Sequence, residues 1–271
     1  MTRHLPVPSG VITLLTDFGL DDPFVGVMTG VILSGFPSAR IVHLCHGIRA
    51  QAVAEASFWL ERCYAWFPPG SVHVVVVDPG VGSERRVLAA AINHQYFLVP
   101  DNGLLSPALL DQPDARVLAV DWKRLVVSPP SATFHGRDIF APLAAALASG
   151  QRAWSELGAP ATPLPSVVPA PEVSRGRARG EVVTIDRFGN LITNLDTACV
   201  ERLNATHALI GERLIPRHRT YADVGSGDLL ALVNSFGVLE IAQRDGSAER
   251  TLGAARGHAV ELAAAAGMPV A

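Results

Sequence analysis

An acidic and a basic residue flank a glycine-rich turn in the segment Asp78-Pro-Gly-Val-Gly-Ser-Glu-Arg85. The turn follows an apolar run, Val72 to Val77, that is interrupted only by His73 and predicts a buried strand. Ligands of open α/β sheets bind just outside the carboxyl ends of such strands. A carboxylate can accept a proton there, and a guanidinium can stabilise negative charge. The spacing therefore predicts a functional pair rather than a solvated surface.

A second acidic loop, Thr16-Asp17-Phe-Gly-Leu-Asp-Asp22, separates the first predicted strand from the first predicted helix. In doubly wound folds this loop contacts the ligand, and a carboxylate there can accept both hydroxyls of a ribose. Asp17 is therefore a candidate ligand residue or, alternatively, part of a structural turn. Asp21 and Asp22 are candidate helix caps, and Asp22 is the better ligand candidate of the two.

The segment Phe134-His135-Gly-Arg137-Asp138 opens a predicted helix. A histidine beside a glycine, which allows close approach of a ligand, is a catalytic candidate, although most lone histidines are structural. Asp138 is alternatively a cap and Arg137 an ion-pair partner. The segment around Asp101 is either a structural Asp-Asn-Gly turn or part of the same site.

Two turns in the last third of the chain carry further polar groups. In Asp186-Arg-Phe-Gly-Asn190 the amide of Asn190 can read a purine edge and Asp186 can bind an ammonium group, but a plain hairpin explains the spacing equally well. The loop Asn234-Ser235-Phe236-Gly237 offers a hydroxyl and an amide. Both turns are candidates for substrate binding.

Strand-like and helical segments alternate from Val11 to about Gly150, which indicates an α/β domain with a mostly parallel sheet and helices on both faces. Dense prolines between Gly158 and Gly176 exclude regular helix or central strand and indicate an extended linker. Short strand-like runs after Glu181 indicate a smaller all-β, barrel-like domain. The predicted organisation is an α/β domain at 1–157, a linker at 158–179 and a β domain at 180–271.

Composition excludes several classes of function. A 49% hydrophobic, 17% charged chain of 271 residues supports a large core, and a net charge of −3 argues against binding to nucleic acid or anionic membrane. The chain has neither an apolar run of about 20 residues nor an apolar leader. Its three cysteines lack CxxC spacing and predict reduced thiols in a cytoplasmic protein without a metal site. No phosphate-binding glycine motif and no GxSxG elbow is present.

Taken in order, these segments resemble the SAM hydroxide adenosyltransferase family, the S-adenosylmethionine hydrolases of the superfamily that includes fluorinases and chlorinases. The resemblance covers nearly the whole chain, and its specificity lies in the ordered set rather than in any one motif. It rests on Thr16-Asp17-Phe18-Gly19, Asp78-Pro-Gly-Val-Gly82 with Arg85, Pro100-Asp-Asn-Gly103, Phe134-His-Gly-Arg-Asp138, Asp186-Arg-Phe-Gly-Asn190 and Asn234-Ser-Phe-Gly237.

The resemblance implies an enzyme that hydrolyses S-adenosyl-L-methionine to adenosine and L-methionine by attack of water at C5′, without a cofactor. It implies a homotrimer in which each ligand lies between the N-terminal domain of one subunit and the C-terminal domain of its neighbour. By match to the family, Asp78, Arg85 and His135 are catalytic, with Arg85 favoured over the adjacent Arg86. Substrate-binding roles fall to Asp17 at the ribose, Asn190 at the adenine, Asp22, Asp186 and Ser235 at the methionine end, and Phe134 in an apolar wall.

Two departures from the halogenating relatives favour water over halide as the nucleophile. Asp78 replaces an aromatic residue, and a carboxylate 4 Å from a halide costs about 4 kcal/mol at a surface-like dielectric. Gly136 replaces a hydroxyl residue that holds the anion. The alternatives are a halogenase that makes 5′-halo-adenosine, a non-catalytic adenosine or S-adenosylmethionine sensor, and a metal-dependent phosphohydrolase.

Overall fold

The computed structural model describes residues 5–126 and 130–263, and the chain divides after Val168 into two compact units. The N-terminal unit contains a seven-stranded sheet with helices, and the C-terminal unit contains an eight-stranded sheet. The predicted combination of an α/β part and a β part is therefore confirmed. The outer ends of the two predicted domains, 1–4 and 264–271, lie outside the described residues.

The sheet of the N-terminal unit has the strand order β2-β1-β3-β5-β4-β6-β7. β1 pairs in parallel with β2 and β3, and β3 pairs in parallel with β5. The chain moves from β1 outward to β2 and then back across to β3, so a topological switch point lies between β1 and β3. The strands are β1 (Val11–Thr16), β2 (Arg40–Cys45), β3 (Val72–Val76), β4 (Val87–Ile92), β5 (Gln95–Pro100), β6 (Arg116–Val120) and β7 (Gly158–Pro160).

The prediction of a mostly parallel sheet is wrong, because β4, β6 and β7 are joined by antiparallel pairing. The cause is the two-residue turn between β4 and β5. Asn93 and His94 both have positive φ, at 46° and 63°, as in a type I′ hairpin turn. Such a turn folds β5 directly back on β4, and no crossover helix intervenes.

Helices cover both faces of this sheet, as predicted. Met28 and Ile32 of α1 (Phe24–Gly35) pack with α4 (Ala141–Ala148) against one face. Ala56 and Leu60 of α2 (Val53–Cys63) pack against the other face. A short helix, α3 (Trp122–Leu125), follows β6. No helix in the described parts of the chain has the length and apolar character needed to cross a membrane.

The sheet of the C-terminal unit is antiparallel, with the order β12-β11-β15-β9-β10-β14-β13 and β8 paired to β9. A bridge between Arg217 and Ala231 joins its two ends, so the sheet is nearly closed into a barrel. Its elements are β8 (Glu172–Ser174), β9 (Arg177–Ile185), β10 (Leu191–Asp196), α5 (Thr197–Leu203), β11 (His207–Ile210), β12 (Arg213–Pro216), β13 (Leu229–Val233), β14 (Val238–Gln243), α6 (Ala248–Leu252) and β15 (Ala259–Ala263).

The proline-rich stretch contributes to both sheets. β7 pairs with β6 at the edge of the first sheet, and β8 pairs with β9 in the second. Proline is tolerated on edge strands because one side of an edge strand makes no ladder hydrogen bonds. The stretch predicted as a linker therefore carries the short strands β7, which contains Pro160, and β8, and it ends within the first residues of β9.

Candidate active site

Asp78 and Arg85 form an ion pair within the loop that joins β3 to β4. The Arg85 Nε lies 2.8 Å and 3.0 Å from the two carboxylate oxygens of Asp78, and the Arg85 Nη2 also donates to this carboxylate. Both side chains are buried, with 4% of Asp78 and 8% of Arg85 exposed. A buried ion pair offsets the cost of desolvation only when its hydrogen-bond geometry is favourable. Removal of either partner would leave an unpaired buried charge, which destabilises the fold.

His135 joins this pair from the start of the helical segment that contains α4. The Arg85 Nη2 donates to the His135 Nδ1 over 2.9 Å. A guanidinium has no acceptor, so the His135 Nδ1 accepts and the ring proton of the neutral imidazole lies on Nε2. Burial is the main cause that lowers the pKa of His135, and the positive charge of Arg85 lowers it further. The negative charges of Asp78 and Asp138 raise this pKa, but by less. The structure therefore brings the three predicted catalytic residues into one hydrogen-bonded chain.

Gly82 allows the loop that carries the ion pair to approach the segment that carries His135. Its φ is +79°, and a Cβ at this position would lie 2.3 Å from the carbonyl oxygen of Ala132. Only glycine fits such a backbone contact in the left-handed region. The glycine-rich turn is thus required for the assembly of the three residues.

Gly136 allows close packing of side chains around the start of this helical segment. A Cβ at Gly136 would lie 3.0 Å from the Met28 sulfur, 3.1 Å from Phe134 and 3.4 Å from Phe18. The residue is itself buried. The close approach of a ligand at Gly136 stays a prediction. The turn that it begins, Gly136–Phe140, is π-helical, and such turns are frequent at functional sites.

Arg86 has a separate structural role. Its Nε donates to Asp101 over 2.7 Å, and its Nη2 donates to the carbonyl of Thr162. Asp101 also accepts from the backbone N–H of Leu164, and its side chain is 3% exposed. The carboxylate at the end of β5 thus anchors neighbouring backbone, which favours the structural interpretation of the Asp-Asn-Gly turn.

Asp17 lies directly after β1, beside the strand that leads to Asp78. Thr16 at the end of β1 is in register with Val76 of β3. Adjacent strands lie about 4.8 Å apart, so Asp17 and Asp78 leave neighbouring strand ends at the switch point. The carboxylate of Asp17 accepts a hydrogen bond of 2.7 Å from the backbone N–H of Gln51.

Asp22 and Phe134 lie on the same side of the unit as α1. Asp22 is exposed and lines a cavity of about 530 Å³. The capping alternative for Asp21 and Asp22 is wrong, because Pro23 is the N-cap of α1 and makes no side-chain capping bond. The Phe134 ring makes edge contacts with Phe24, at 5.2 Å between centroids, and with Phe18, at 5.9 Å.

Arg137 and Asp138 pair with each other beside the site. The Arg137 Nη2 lies 2.9 Å from Asp138, whose carboxylate also accepts from the backbone N–H of Ser131. The hydrogen bond from Arg137 lowers the pKa of Asp138 to about 2. This pair holds the 131–138 segment around His135, which agrees with the structural alternative for Arg137.

In the C-terminal unit, Asp186 and Asn190 are hydrogen-bonded to each other. The Asn190 Nδ2 donates to Asp186 over 2.9 Å, and the same carboxylate accepts from the backbone N–H groups of Phe188 and Asn190. Phe188 at the tip of this turn is 75% exposed. Ser235 is exposed in the loop between β13 and β14.

Sequence reasoning missed a polar cluster beneath these two turns. Glu240 is 3% exposed and accepts from the Tyr221 hydroxyl at 2.5 Å and from the Asn234 Nδ2 at 3.1 Å. Burial raises the pKa of Glu240, and the charge of Asp186 adds to this effect. The signal in the sequence was one carboxylate inside the otherwise apolar run Val238–Ala242.

The chemistry that Asp78, Arg85 and His135 can perform follows from the donor and acceptor atoms that they leave available. Asp78 is a carboxylate and can accept a proton. The Arg85 Nη1 is buried and has no hydrogen-bond partner among the residues that the structure describes, and the His135 Nε2 carries a proton. One acceptor and two donors match a small molecule that donates and accepts, such as water. A cavity of about 420 Å³ is lined by Arg85 and His135 together with Ser83, Trp122 and Lys123.

The described residues contain no group of three or more His, Cys, Asp or Glu side chains placed to hold a metal ion. The three cysteines are free thiols, of which Cys199 is buried and Cys45 and Cys63 are half-buried.

Comparison with known proteins identifies the family of this chain. The models of the SAM hydroxide adenosyltransferase N-terminal and C-terminal domains match residues 12–158 and 180–261. The (R)-S-adenosyl-L-methionine hydrolase of Thermus thermophilus is 38% identical, with 93% of this chain and 98% of the relative covered. A fluorinase of an Actinoplanes species is 26% identical, over 86% of this chain and 90% of that one.

A crystal structure of an uncharacterized conserved protein from Thermotoga maritima superposes with a TM-score of 0.87 at 34% identity and covers 93% of this chain and 99% of the other. The family models together match well over half of the sequence, and the hydrolase is more similar than the fluorinase. The resemblance drawn from the motifs is thereby confirmed, and the chain belongs to the SAM hydroxide adenosyltransferase family.

Proposed function

We propose that this protein hydrolyses S-adenosyl-L-methionine to adenosine and L-methionine. The observation that carries the proposal is the hydrogen-bonded chain Asp78–Arg85–His135 at the carboxyl edge of the first sheet, in a member of this family. Relatives at 38% and 35% identity are named (R)-S-adenosyl-L-methionine hydrolases. We therefore assign the (R) form as the substrate.

The reaction needs a positioned nucleophile more than it needs an acid. A new O–C5′ bond forms as the C5′–S bond breaks, and the bonding electrons stay on sulfur, so methionine leaves as a neutral thioether. Holding water in line with C5′ contributes about 7 kcal/mol or more. Asp78 accepts the proton of the attacking water, a contribution on the order of 10²–10⁴-fold, and the proton then passes to solvent. The Arg85 guanidinium binds the Asp78 carboxylate and holds it in place, and the His135 Nε2–H orients the water.

The remaining predicted residues bind the substrate. Asp17 accepts from the ribose hydroxyls, and Phe134 forms part of the apolar wall beside the reacting carbon. Asn190 reads the adenine edge, and the Asp186 carboxylate accepts from the methionine ammonium. Asp22 and Ser235 complete the methionine end.

We also propose the homotrimer with sites between subunits. α1 supports it, because its sequence FVGVMTGVILSG contains no charged residue and leaves Phe24, Val27 and Leu33 exposed by 43%, 38% and 40%. A helix that is apolar all round is normally covered on all sides. A second copy of the chain is the partner that the family supplies. The cytoplasmic location stays a prediction.

The direct test is incubation of purified protein with each sulfonium epimer of S-adenosylmethionine in H₂¹⁸O. We expect adenosine and methionine in equal amounts, with one ¹⁸O atom in the 5′-hydroxyl of adenosine. No turnover by folded protein, or ¹⁸O located elsewhere, would contradict the proposal. Activity that survives a chelator supports the predicted absence of a metal cofactor and rules out the phosphohydrolase alternative.

The halogenase alternative is tested in the same assay with added chloride or fluoride. Asp78 and Gly136 argue against a halide site, since one is a carboxylate and the other is closed by Met28 and Phe134. We expect no 5′-halo-adenosine. Tight adenosine binding without products would instead identify a sensor.

A further inference from the structure

His46 follows β2 and lies beside the end of β1 because of an irregularity in strand pairing. Leu14 pairs with His43, but Leu15 pairs with Cys45, so β2 carries one extra residue, Leu44, at this point. Such bulges re-aim the side chains that follow them and are frequent next to active sites. The bulge places His46 beside Thr16, the residue that precedes Asp17.

Two hydrogen bonds tie His46 to the loop that carries Asp17. The His46 Nδ1 lies 2.9 Å from the Thr16 Oγ1, and the backbone carbonyl of His46 accepts from the Gly19 N–H over 2.8 Å. The Thr16 hydroxyl also accepts from the Phe18 N–H at 3.2 Å. The loop is therefore bound to His46 on both sides of Asp17.

The ring of His46 has a defined orientation. It is 5% exposed, and its Nε2 lies 2.9 Å from the Nδ1 of His43. Because the Thr16 hydroxyl accepts from Phe18, its own proton is free to go to the His46 Nδ1, and the His46 Nε2–H then donates to His43. The segment after His46 also supplies the Gln51 N–H that binds the Asp17 carboxylate.

We infer that His46 is a positioning residue that holds Asp17 in the geometry that binds the ribose. The inference rests on the proposed function, in which Asp17 accepts from the ribose hydroxyls. His46 itself does not touch the substrate. Supporting groups that lock a binding side chain in place determine its precision.

The test is a double-mutant cycle. The effect of Asp17→Asn on adenosine affinity is measured by calorimetry in the wild-type protein and again in the His46→Ala variant. We expect His46→Ala to weaken adenosine binding about tenfold, in the range of couplings within one hydrogen-bond network, and Asp17→Asn to cost little more in that background. His46→Asn, which keeps a polar group near the Nδ1 position, should restore much of the affinity. In turnover assays KM should rise more than kcat falls.

Two further variants separate positioning from general stability. Thr16→Val removes the hydroxyl at nearly constant volume and should reproduce the effect of His46→Ala. His73→Asn is the matched control, because His73 is also buried and is bonded to Thr13 of the same strand as Thr16, at 2.8 Å. It should lower the melting temperature but leave adenosine affinity unchanged.

The outcomes distinguish this inference from the proposed function. If Asp17→Asn weakens adenosine binding by the same factor with and without His46, the positioning role is wrong and the proposed function stands. If Asp17→Asn has no effect in the wild type, both the ribose role of Asp17 and the inference fail. If wild-type protein binds adenosine through Asp17 but does not cleave S-adenosylmethionine, only the hydrolysis fails.

Discussion

The Arg85 Nη2 donates to the Nδ1 of His135 over 2.9 Å, so the imidazole is held neutral with its proton on Nε2. The same guanidinium binds Asp78 through Nε and Nη2. Arg85 thus connects the proton acceptor of the site to a fixed hydrogen-bond donor. This arrangement has consequences that solution experiments can measure.

The tautomer of His135 should be visible in ¹⁵N spectra. We expect a pyridine-type Nδ1 and a protonated Nε2 throughout the neutral range, and a pKa below the ordinary value of 6.5, because burial and Arg85 disfavour the imidazolium. The acid limb of kcat/KM that belongs to His135 should therefore lie below pH 6.5. A protonated Nδ1 at pH 7.5 would contradict the assigned roles.

Replacement of Asp78 by Asn should reduce kcat by about 10²-fold or more, since the amide cannot accept the proton. Adenosine affinity should be kept. Adenosine and methionine release under single-turnover conditions is the measurement, and retained turnover would exclude Asp78 as the acceptor.

Arg85→Lys and Arg86→Lys form a matched pair of adjacent conservative changes. We expect Arg85→Lys to lose most activity, because an ammonium cannot bind Asp78 through two nitrogens while donating to His135. Arg86→Lys alters the bonds to Asp101 and to the Thr162 carbonyl, away from His135, and should retain kcat. Equal losses in the two variants would show that the contacts of Arg85 are not specific to catalysis.

Gly136→Ser should not create a halide site. The added Cβ would meet the Met28 sulfur at 3.0 Å and Phe134 at 3.1 Å, so we expect a loss of unfolding free energy of about 1–3 kcal/mol, typical of overpacking. Chromatography with chloride present should show no 5′-chloro-adenosine. Formation of that product would mean that the packing around Gly136 yields readily.

The stability of the chain should fall in mild acid because of buried histidines. Burial lowers the pKa of His73 to about 4, whereas the unfolded chain titrates near 6.5. The unfolded state therefore binds more protons between these values, and the contribution of His73, full above pH 6.5, falls by up to about 3 kcal/mol as the pH drops to 4. Urea unfolding of wild type and His73→Asn from pH 7.5 to 4.5 measures this, and identical slopes would exclude His73 as the cause.

Much of the fold could be predicted from the sequence where the signal was local. The strands β1, β4 and β6 lie in the part of the chain where strand-like segments were predicted, and each is a run of mostly apolar or β-branched residues. The direction of β4 could not be predicted in the same way. Its hairpin uses Asn93-His94 rather than Asn-Gly, and a histidine at positive φ is an uncommon turn residue.

The candidate active site was likewise predictable only in part. The types and order of Asp78, Arg85 and His135 could be recognised, but only the folded chain shows that Arg85 rather than Arg86 faces the histidine. Glu240 and His46 were missed because their importance lies in side-chain partners distant in sequence, such as Tyr221 and Thr16.

The antiparallel direction of β4 also determines how many residues separate Asp78 from Arg85. Because β4 runs opposite to β3 and β5, it starts where they finish, and Val87 pairs with Pro100. The chain can pass from β3 to β4 over the top of β5 in a single short loop, which Asp101 fastens through Arg86. An all-parallel order would have required a crossover of a dozen or more residues and delivered Arg85 to the far rim of the sheet. The hairpin at Asn93 and His94, at the opposite end of β4 from Arg85, is thus what makes the ion pair of Asp78 and Arg85 possible.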